Sequence, residues 1–387
     1  MRKKKFQVLG LMSGSSLDGL DVACCSFQLA DKEAFEVKNW KIEVAQTLAY
    51  TKDWQTKLAQ LIHADARTFA QTHTHFSRYS AELVNQFLAK YSIDPDFIAA
   101  HGHTIFHFPE EHFTTQIGEG AALAALTGYP VICDFRTFDV ALGGQGAPIA
   151  SIADKYLLSQ YDFCLNLGGI ANITSNANGK YIAFDISGAN QVLNELVAEI
   201  GLDYDNNGDL ASRGKVIPSI LEASNQLPFL AASYPKTLDN QWVKKELIPP
   251  FKNTDFDLND RLRTSCEHTT QQIAQSIQQI IKQENLNKFS YRLIATGGGG
   301  YNAFFMQLLQ EKLDFLKVKV EIPDEKIIGF KEAAMIALMG VMRVSNIPNC
   351  MSSVTGAKHD TINGAIYQGW RKLLTVNYGD NKGICKK

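Results

Sequence analysis

Residues 8–23 read VLGLMSGSSLDGLDVA, and residues 164–175 read CLNLGGIANITS. Both stretches have the same layout: an apolar run, a turn containing glycine, and a second apolar run. Each predicts a strand that turns and pairs with the next strand. One opens the first part of the chain and the other opens the second. Two such openings predict a duplicated α/β domain with a cleft between the copies.

Outward from these stretches, strand-like and helix-like segments alternate. Strands are expected over 5–12, 20–29, 97–101 and 130–135, with helices over 54–91 and 120–127. The glycine-rich segment FDVALGGQGAPIA, with Pro148, reads as a crossing between domains. The expected division is therefore 1–140 and 141–387, with the last helix returning to pack on the first domain. In the second half, GKYIAFDISGAN continues the strand pattern. Helices are expected over 191–200, 259–283 and 331–345. The strand YRLIAT runs into TGGGG, and the helix NAFFMQLLQEKL follows.

Bulk properties narrow the function. A chain of 387 residues exceeds what one small core organises, so two domains are the default. A formal net charge of −2 supplies no global basic field, which argues against nucleic-acid or anionic-membrane partners. No apolar run approaches the roughly 20 residues of a membrane span. MRKKKFQVLGLM imitates a signal peptide, but its apolar part is short and SGSSLDG follows at once. Seven cysteines, an odd count with no C-x-x-C, read as reduced thiols of a cytoplasmic protein. The oligomeric state stays open, with a homodimer among the options.

Three glycine loops follow apolar strands: 14–19, 168–169 and 297–300. A phosphate chain needs backbone N–H groups aimed at it, and glycine lets the backbone come close. None of the three matches the common phosphate-loop or dinucleotide patterns. Any one alone is equally a tight turn, but three in this order are more specific. Asp18 and Asp21 fit a hard cation held through water, or else Asp18 serves only its turn. Asp185 ends the run YIAF before the small residues Ser187, Gly188 and Ala189. It reads either as a turn former or as a general base at the mouth of a cleft. The histidines of HGHTIFH lack a Cys or carboxylate at zinc spacing, so polar contacts suit them better than a metal.

GLMSGSSLDGLDVA resembles the opening G-x-M-S-G-T-S-x-D-G-x-D of the anhydro-N-acetylmuramic acid kinases. HGHTIFHFP is similar to their H-G-Q-T-x-x-H-x-P. TTQIGEGAALAALTGYPVICDFRTFDVALGGQGAP is similar to their central block almost end to end. LNLGGIANIT, DNNGDLASRGKV, TGGGGYN, KEAAMIA and SVTGA match in order. The resemblance implies two related actin-like (RNase H-like) α/β domains with ATP in the cleft between them.

It also implies roles. Gly14, Ser15, Ser16, Leu17, Asp18, Gly19, Leu20 and Asp21 would form the first phosphate loop, with Asp18 near Mg2+. Gly168 and Gly169 would belong to the second. Gly297, Gly298, Gly299 and Asn302 would hold the adenosine side. Asp185 would be the base, and His101, His103, Gln116, Arg136, Asn190 and Glu332 would contact the sugar. The implied reaction opens a 1,6-anhydro bridge with water while the γ-phosphate passes to O6. Where the family usually reads D-T-G-P-G-N, this chain reads Asp185-Ile186-Ser187-Gly188-Ala189-Asn190, and His103 stands where the family usually has Gln. The altered turn keeps open a second substrate, another 1,6-anhydro sugar such as levoglucosan. A third reading, an actin-like module whose bound ATP gates a partner, needs no sugar. ATP turnover with and without the anhydro sugar separates these readings.

Overall fold

The computed structural model describes residues 4–14, 16–30, 35–147 and 149–374. The chain forms two units, one of the residues up to Leu157 with those from Phe330 onward, the other of Leu158–Gly329.

The sheet of the first unit contains β1 (Lys5–Ser13), β2 (Gly19–Leu29), β3 (Val37–Ala49), β4 (Phe97–Phe108), β5 (Phe113–Ile117) and β6 (Val131–Cys133). Their order is β3-β2-β1-β4-β6, with the short strand Ala365–Tyr367 beyond β6 and β5 paired off β4. β2 runs antiparallel to β1 and β3, whereas β1, β4 and β6 are parallel. Val8, Leu9 and Leu11 of β1 are all buried, as a central strand covered on both faces requires. A Cβ at Gly10 would fall 1.9 Å from the Ala333 carbonyl oxygen, so β1 lies directly on helix Glu325–Val344. Ala333 to Met342 of that helix are buried without a break. Each fully buried Leu or Ile here contributes about 1.5–3 kcal/mol.

The second unit contains β7 (Phe163–Leu167), β8 (Ile170–Ala177), β9 (Lys180–Gly188), β10 (Tyr291–Thr296) and β11 (Val318–Glu321), in the order β11-β10-β7-β8-β9. β8 is antiparallel to β7 and β9, and β10 is parallel to β7 and β11. Taken in chain order without β5, both sheets therefore read third, second, first, fourth, fifth, with the same strand directions. This is the duplication that the two opening stretches announced. Helix Leu258–Gln283 packs its buried face, including Leu262, Cys266, Ile273 and Ile277, into the core with Phe163, Leu165 and Ile173.

Several elements differ from the sequence expectation. The helix expected over 54–91 is two helices, Lys52–Gln60 and Ala66–Tyr91. Asp65 separates them, its carboxylate capping the second helix by accepting from the Arg67 and Thr68 N–H groups. The strand expected over 97–101 continues to Phe108, because HGHTIFH pairs with β5 rather than forming a turn. Of the 13 residues of β3 only Ile42 is buried, so this edge strand carries little hydrophobic periodicity. The division between the units comes after Leu157, later than the glycine-rich stretch near residue 140. Asp139 holds that stretch in the first unit: its Oδ2 accepts the Gly146 N–H at 2.8 Å and its Oδ1 accepts the Thr355 hydroxyl at 2.9 Å. Pro148, expected at the crossing, lies outside the described residues. Among the described residues no helix is long and apolar enough to cross a membrane.

Candidate active site

The turn between β1 and β2 carries the first glycine loop. Ser15 lies outside the described residues. Leu17 adopts a left-handed backbone, φ 59°, while the Leu20 side chain is buried in the core. Asp18 is exposed and organises its own turn, its Oδ1 accepting the Ser16 hydroxyl at 2.5 Å and the Gly19 N–H at 3.0 Å. Asp21 accepts the Thr47 hydroxyl at 2.5 Å. Burial raises the Asp21 pKa, Thr47 opposes this, and the Asp18 and Glu332 carboxylates raise it further. Asp18, Asp21 and Glu332 thus share one electrostatic neighbourhood, with Glu332 exposed on helix Glu325–Val344.

Next to it, β4 supplies the two inward histidines. Arg136 donates from Nε to His101 Nε2 at 2.9 Å and from Nη1 to the Gly146 carbonyl at 3.1 Å. His101 Nε2 is therefore the bare nitrogen, and Nδ1–H donates to the Gly102 carbonyl at 3.0 Å. Burial, then the Arg136 charge, push His101 down to about 3, so it stays neutral. Arg136 Nη2 donates to nothing among the described residues. His103 is held by a buried chain: the Tyr50 hydroxyl donates to Ser13 Oγ at 2.7 Å, and Ser13 Oγ lies 3.0 Å from His103 Nδ1. Burial lowers the pKa of the His103 ring, and a hydrogen bond to the Ser13 backbone opposes this. Gln116, on β5, donates to Thr114 and Thr104. His107 also bonds Thr114, so His101, His103 and His107 are each engaged with a different partner. No three His, Cys, Asp or Glu residues among the described ones gather as an ion cage.

In the second unit, Asp185 is not the last residue of its strand. β9 runs on to Gly188, and its register slips so that Asp185 faces Asn172 while Ser187 faces Ala171. Ile186 is the extra residue of a β-bulge, the device that re-aims a side chain beside a site. Asp185 is half-buried. Its Oδ2 accepts the Leu238 N–H at 2.8 Å, and Oδ1 accepts nothing among the described residues. Burial raises its pKa against the lowering by the Leu238 hydrogen bond.

The end of β9 is tied to the second glycine loop. The N–H groups of Ala189 and Gln191 donate to the Gly169 carbonyl and that of Asn190 to the Gly168 carbonyl. The N–H groups of Gly168 and Gly169 have no backbone partner among the described residues. The Asn190 side chain, expected at the sugar, donates to the Leu167 carbonyl at 3.0 Å and fastens the loop. After β10, Gly297 takes φ 81° and leads into the single turn Gly298–Tyr301. A Cβ at Gly299 would meet Leu167 and Asn190, which brings the third glycine loop against the second. Asn302 Oδ1 accepts the Phe305 N–H at 2.9 Å and starts helix Ala303–Leu313.

The family model described as "Anhydro-N-acetylmuramic acid kinase" matches residues 6–369. The chain belongs to the anhydro-N-acetylmuramic acid kinase family. A relative of that name from Haemophilus influenzae is 32% identical, the match covering 93% of this chain and 97% of that one. Another, from Hydrogenovibrio crunogenus, is 30% identical at the same coverage, and one from Pasteurella multocida is 31% identical over 95% and 98%. Among solved structures, the activator of a 2-hydroxyisocaproyl-CoA dehydratase from Clostridium difficile overlaps at a TM-score of 0.39 with 10% identity, too loosely to bear on the argument.

Tyr50 and Ser13 behind His103, Asp139 behind the loop of Gly146, and the Leu238 N–H on Asp185 were not singled out from sequence. Each is an ordinary residue made significant by a partner 37 or more positions away, and Asp139 holds Gly146, seven residues on, as well as Thr355. For Asp139 a signal existed: a carboxylate just before a run of glycine N–H groups.

Proposed function

We propose that this member of the anhydro-N-acetylmuramic acid kinase family transfers the γ-phosphoryl group of ATP to O6 of 1,6-anhydro-N-acetylmuramic acid while water opens the anhydro bridge. The products are N-acetylmuramic acid 6-phosphate and ADP. The observation that carries the assignment of roles is the Asp185 carboxylate, with one oxygen held by a backbone N–H and the other open. A base must be oriented before it can take a proton in the transition state. Asp185 takes the proton from water as the water oxygen bonds to the anomeric carbon. The C1–O6 bond breaks, O6 forms its bond to the γ-phosphorus, and the bond from phosphorus to the bridging oxygen of ADP breaks. The proton on Asp185 then leaves to solvent. The N–H groups of Gly168 and Gly169, which have no backbone partner among the described residues, suit a phosphate oxygen. A cytoplasmic location fits the need for ATP.

Magnesium would suit the carboxylates of the first phosphate loop, Asp18 and Asp21, which with phosphate oxygens make an oxygen donor set for a hard cation. Burial, and after it the Asp18 and Glu332 charges, disfavour ionised Asp21, and a cation would offset this. Asp18 would hold it, directly or through water, and it would neutralise charge on the phosphates. We expect Asp18→Ala to lower turnover about tenfold or more at low magnesium, with partial recovery as magnesium is raised. A magnesium titration of initial rates checks this, and an unchanged curve removes Asp18 from the metal site.

Arg136 suits the lactyl carboxylate of the sugar. Two of its nitrogens are anchored, while Nη2 remains available for a charge-assisted hydrogen bond. The parent enzyme should prefer anhydro-N-acetylmuramic acid over levoglucosan by about a hundredfold or more in kcat/KM, because a bare sugar leaves polar groups unpaired. Arg136→Ala should cut that preference by about tenfold. Equal kcat/KM for both sugars in the parent would instead favour the levoglucosan reading, with the altered turn after Asp185 as its cause.

A further inference from the structure

The bulge after Asp185 has a buried polar anchor that the reaction itself does not use. Ser187 and His268 are 0% and 1% exposed, and Ser187 Oγ lies 3.1 Å from His268 Nε2. On the other side of the ring, His268 Nδ1 lies 2.7 Å from Asn225 Oδ1. Gln272 also donates to Asn225 Oδ1, at 3.0 Å, and Asn225 Nδ2 donates to Gln271 Oε1 at 3.0 Å. The Asn225 oxygen is thus an acceptor, so His268 Nδ1 carries the proton and Nε2 is bare. Nε2 accepts the Ser187 hydroxyl. One residue along the same helix, the Thr269 hydroxyl donates to the Gly188 carbonyl at 3.2 Å. Helix Leu258–Gln283 therefore grips both residues that follow the bulge.

A serine, a histidine and an asparagine in line suggest a nucleophile, but no substrate reaches side chains closed to this degree. Position is what they can control. Two residues before Ser187 stands Asp185, and two to four residues after it the N–H groups of Ala189, Asn190 and Gln191 hold the carbonyls of Gly168 and Gly169. A shift at Ser187 moves the base and the glycine loop together. Ser187 brings a hydroxyl into the core, and a buried hydroxyl needs a partner.

We infer that His268, oriented by Asn225, is a positioning residue that holds Ser187 and so fixes Asp185 and the Gly168–Gly169 loop relative to each other. The inference rests on Asp185 being the base.

The test is steady-state kinetics with anhydro-N-acetylmuramic acid and ATP, with the melting temperature measured alongside. His268→Leu strands the Ser187 hydroxyl, and kcat should fall about tenfold while KM for ATP changes less than about twofold. His268→Gln can still accept from Ser187 and donate to Asn225, and it should keep at least half of the parent kcat. The double variant Ser187→Ala/His268→Leu releases the same grip and should be no slower than His268→Leu alone, the non-additivity expected of a contacting pair. If His268→Leu does not fold, Ser187→Ala alone should lower kcat severalfold, since it releases the grip without enlarging a side chain. Parent-like kcat in His268→Leu or Ser187→Ala overturns the inference. So does a His268→Gln variant as slow as His268→Leu. Failure of the base assignment shows separately, as an active Asp185→Asn.

Discussion

Asp185→Asn is expected to lower kcat for anhydro-N-acetylmuramic acid by about a hundredfold or more, while ATP affinity stays within about twofold of the parent. The amide can still accept the Leu238 N–H through its oxygen, so the local backbone keeps its partner. It cannot take a proton from water. ADP release under saturating sugar gives kcat, and calorimetric titration with ATP gives the affinity. Retention of half the parent kcat would remove Asp185 from the chemistry. The parent's pH profile supplies an independent reading. Burial raises the Asp185 pKa, so the active, ionised form is lost as pH falls through a value above the ordinary 3.8. The acid limb of kcat should therefore lie higher than a solvated aspartate would give, and it should vanish in the residual activity of the variant. For stability the sign is opposite. Between 3.8 and the raised value the native state binds more protons than the unfolded one, so this group makes stability fall as pH rises. Replacing it with a neutral amide should not lower the melting temperature at neutral pH, which separates lost chemistry from lost fold.

Gly297→Ala is expected to raise KM for ATP about tenfold or more and to lower the melting temperature by about 4–8 °C. Gly297 has φ 81° and ψ 167°, a region essentially closed to residues with a Cβ. The added atom would also fall 2.8 Å from the Leu167 carbonyl oxygen and from Asn166 Oδ1. The Leu167 carbonyl cannot retreat freely, since Leu167 belongs to β7 and pairs with Ala171. The strain, on the order of 2 kcal/mol, has to be relieved by moving the loop of Gly298 and Gly299 away from β7. If that loop holds the adenosine side, nucleotide binding suffers before sugar binding does. Unchanged ATP kinetics with a lowered melting temperature would leave the loop structural and nothing more.

Much of the scaffold was legible in the sequence because both units open with an apolar hairpin around glycine. Central strands such as β1 and β7 are nearly continuous apolar runs, and those stand out. β3 did not, because an edge strand with one buried residue carries almost no pattern. The extension of β4 through HGHTIFH was hidden for a related reason. Its polar residues face β5, and pairing between strands cannot be read from either strand alone. At the site, motif positions offered Asp185 and the three glycine loops as candidates, but not the direction in which Asp185 points. That direction depends on one extra residue in β9, and a bulge is visible only once β8 is alongside. Asn190 and Asn302 show the converse. Their side chains have polar groups suited to a ligand, yet the oxygen of one and the nitrogen of the other are spent on backbone partners that only the fold supplies.

The six cysteines among the described residues are all buried, and none of them forms a disulfide. Desolvation pushes the thiols of Cys24, Cys133, Cys266 and Cys350 to about 12, and that of Cys25 upward as well. An alkylating reagent attacks the thiolate, so these sulfurs are silent while the chain is folded and reactive once a segment opens. The protein thereby carries its own chemical clock. Cys24, Cys25, Cys133 and Cys350 time the opening of the first unit, and Cys164 and Cys266 time the second. Peptide-resolved labelling reads the two clocks in one sample, with no probe engineered into the chain.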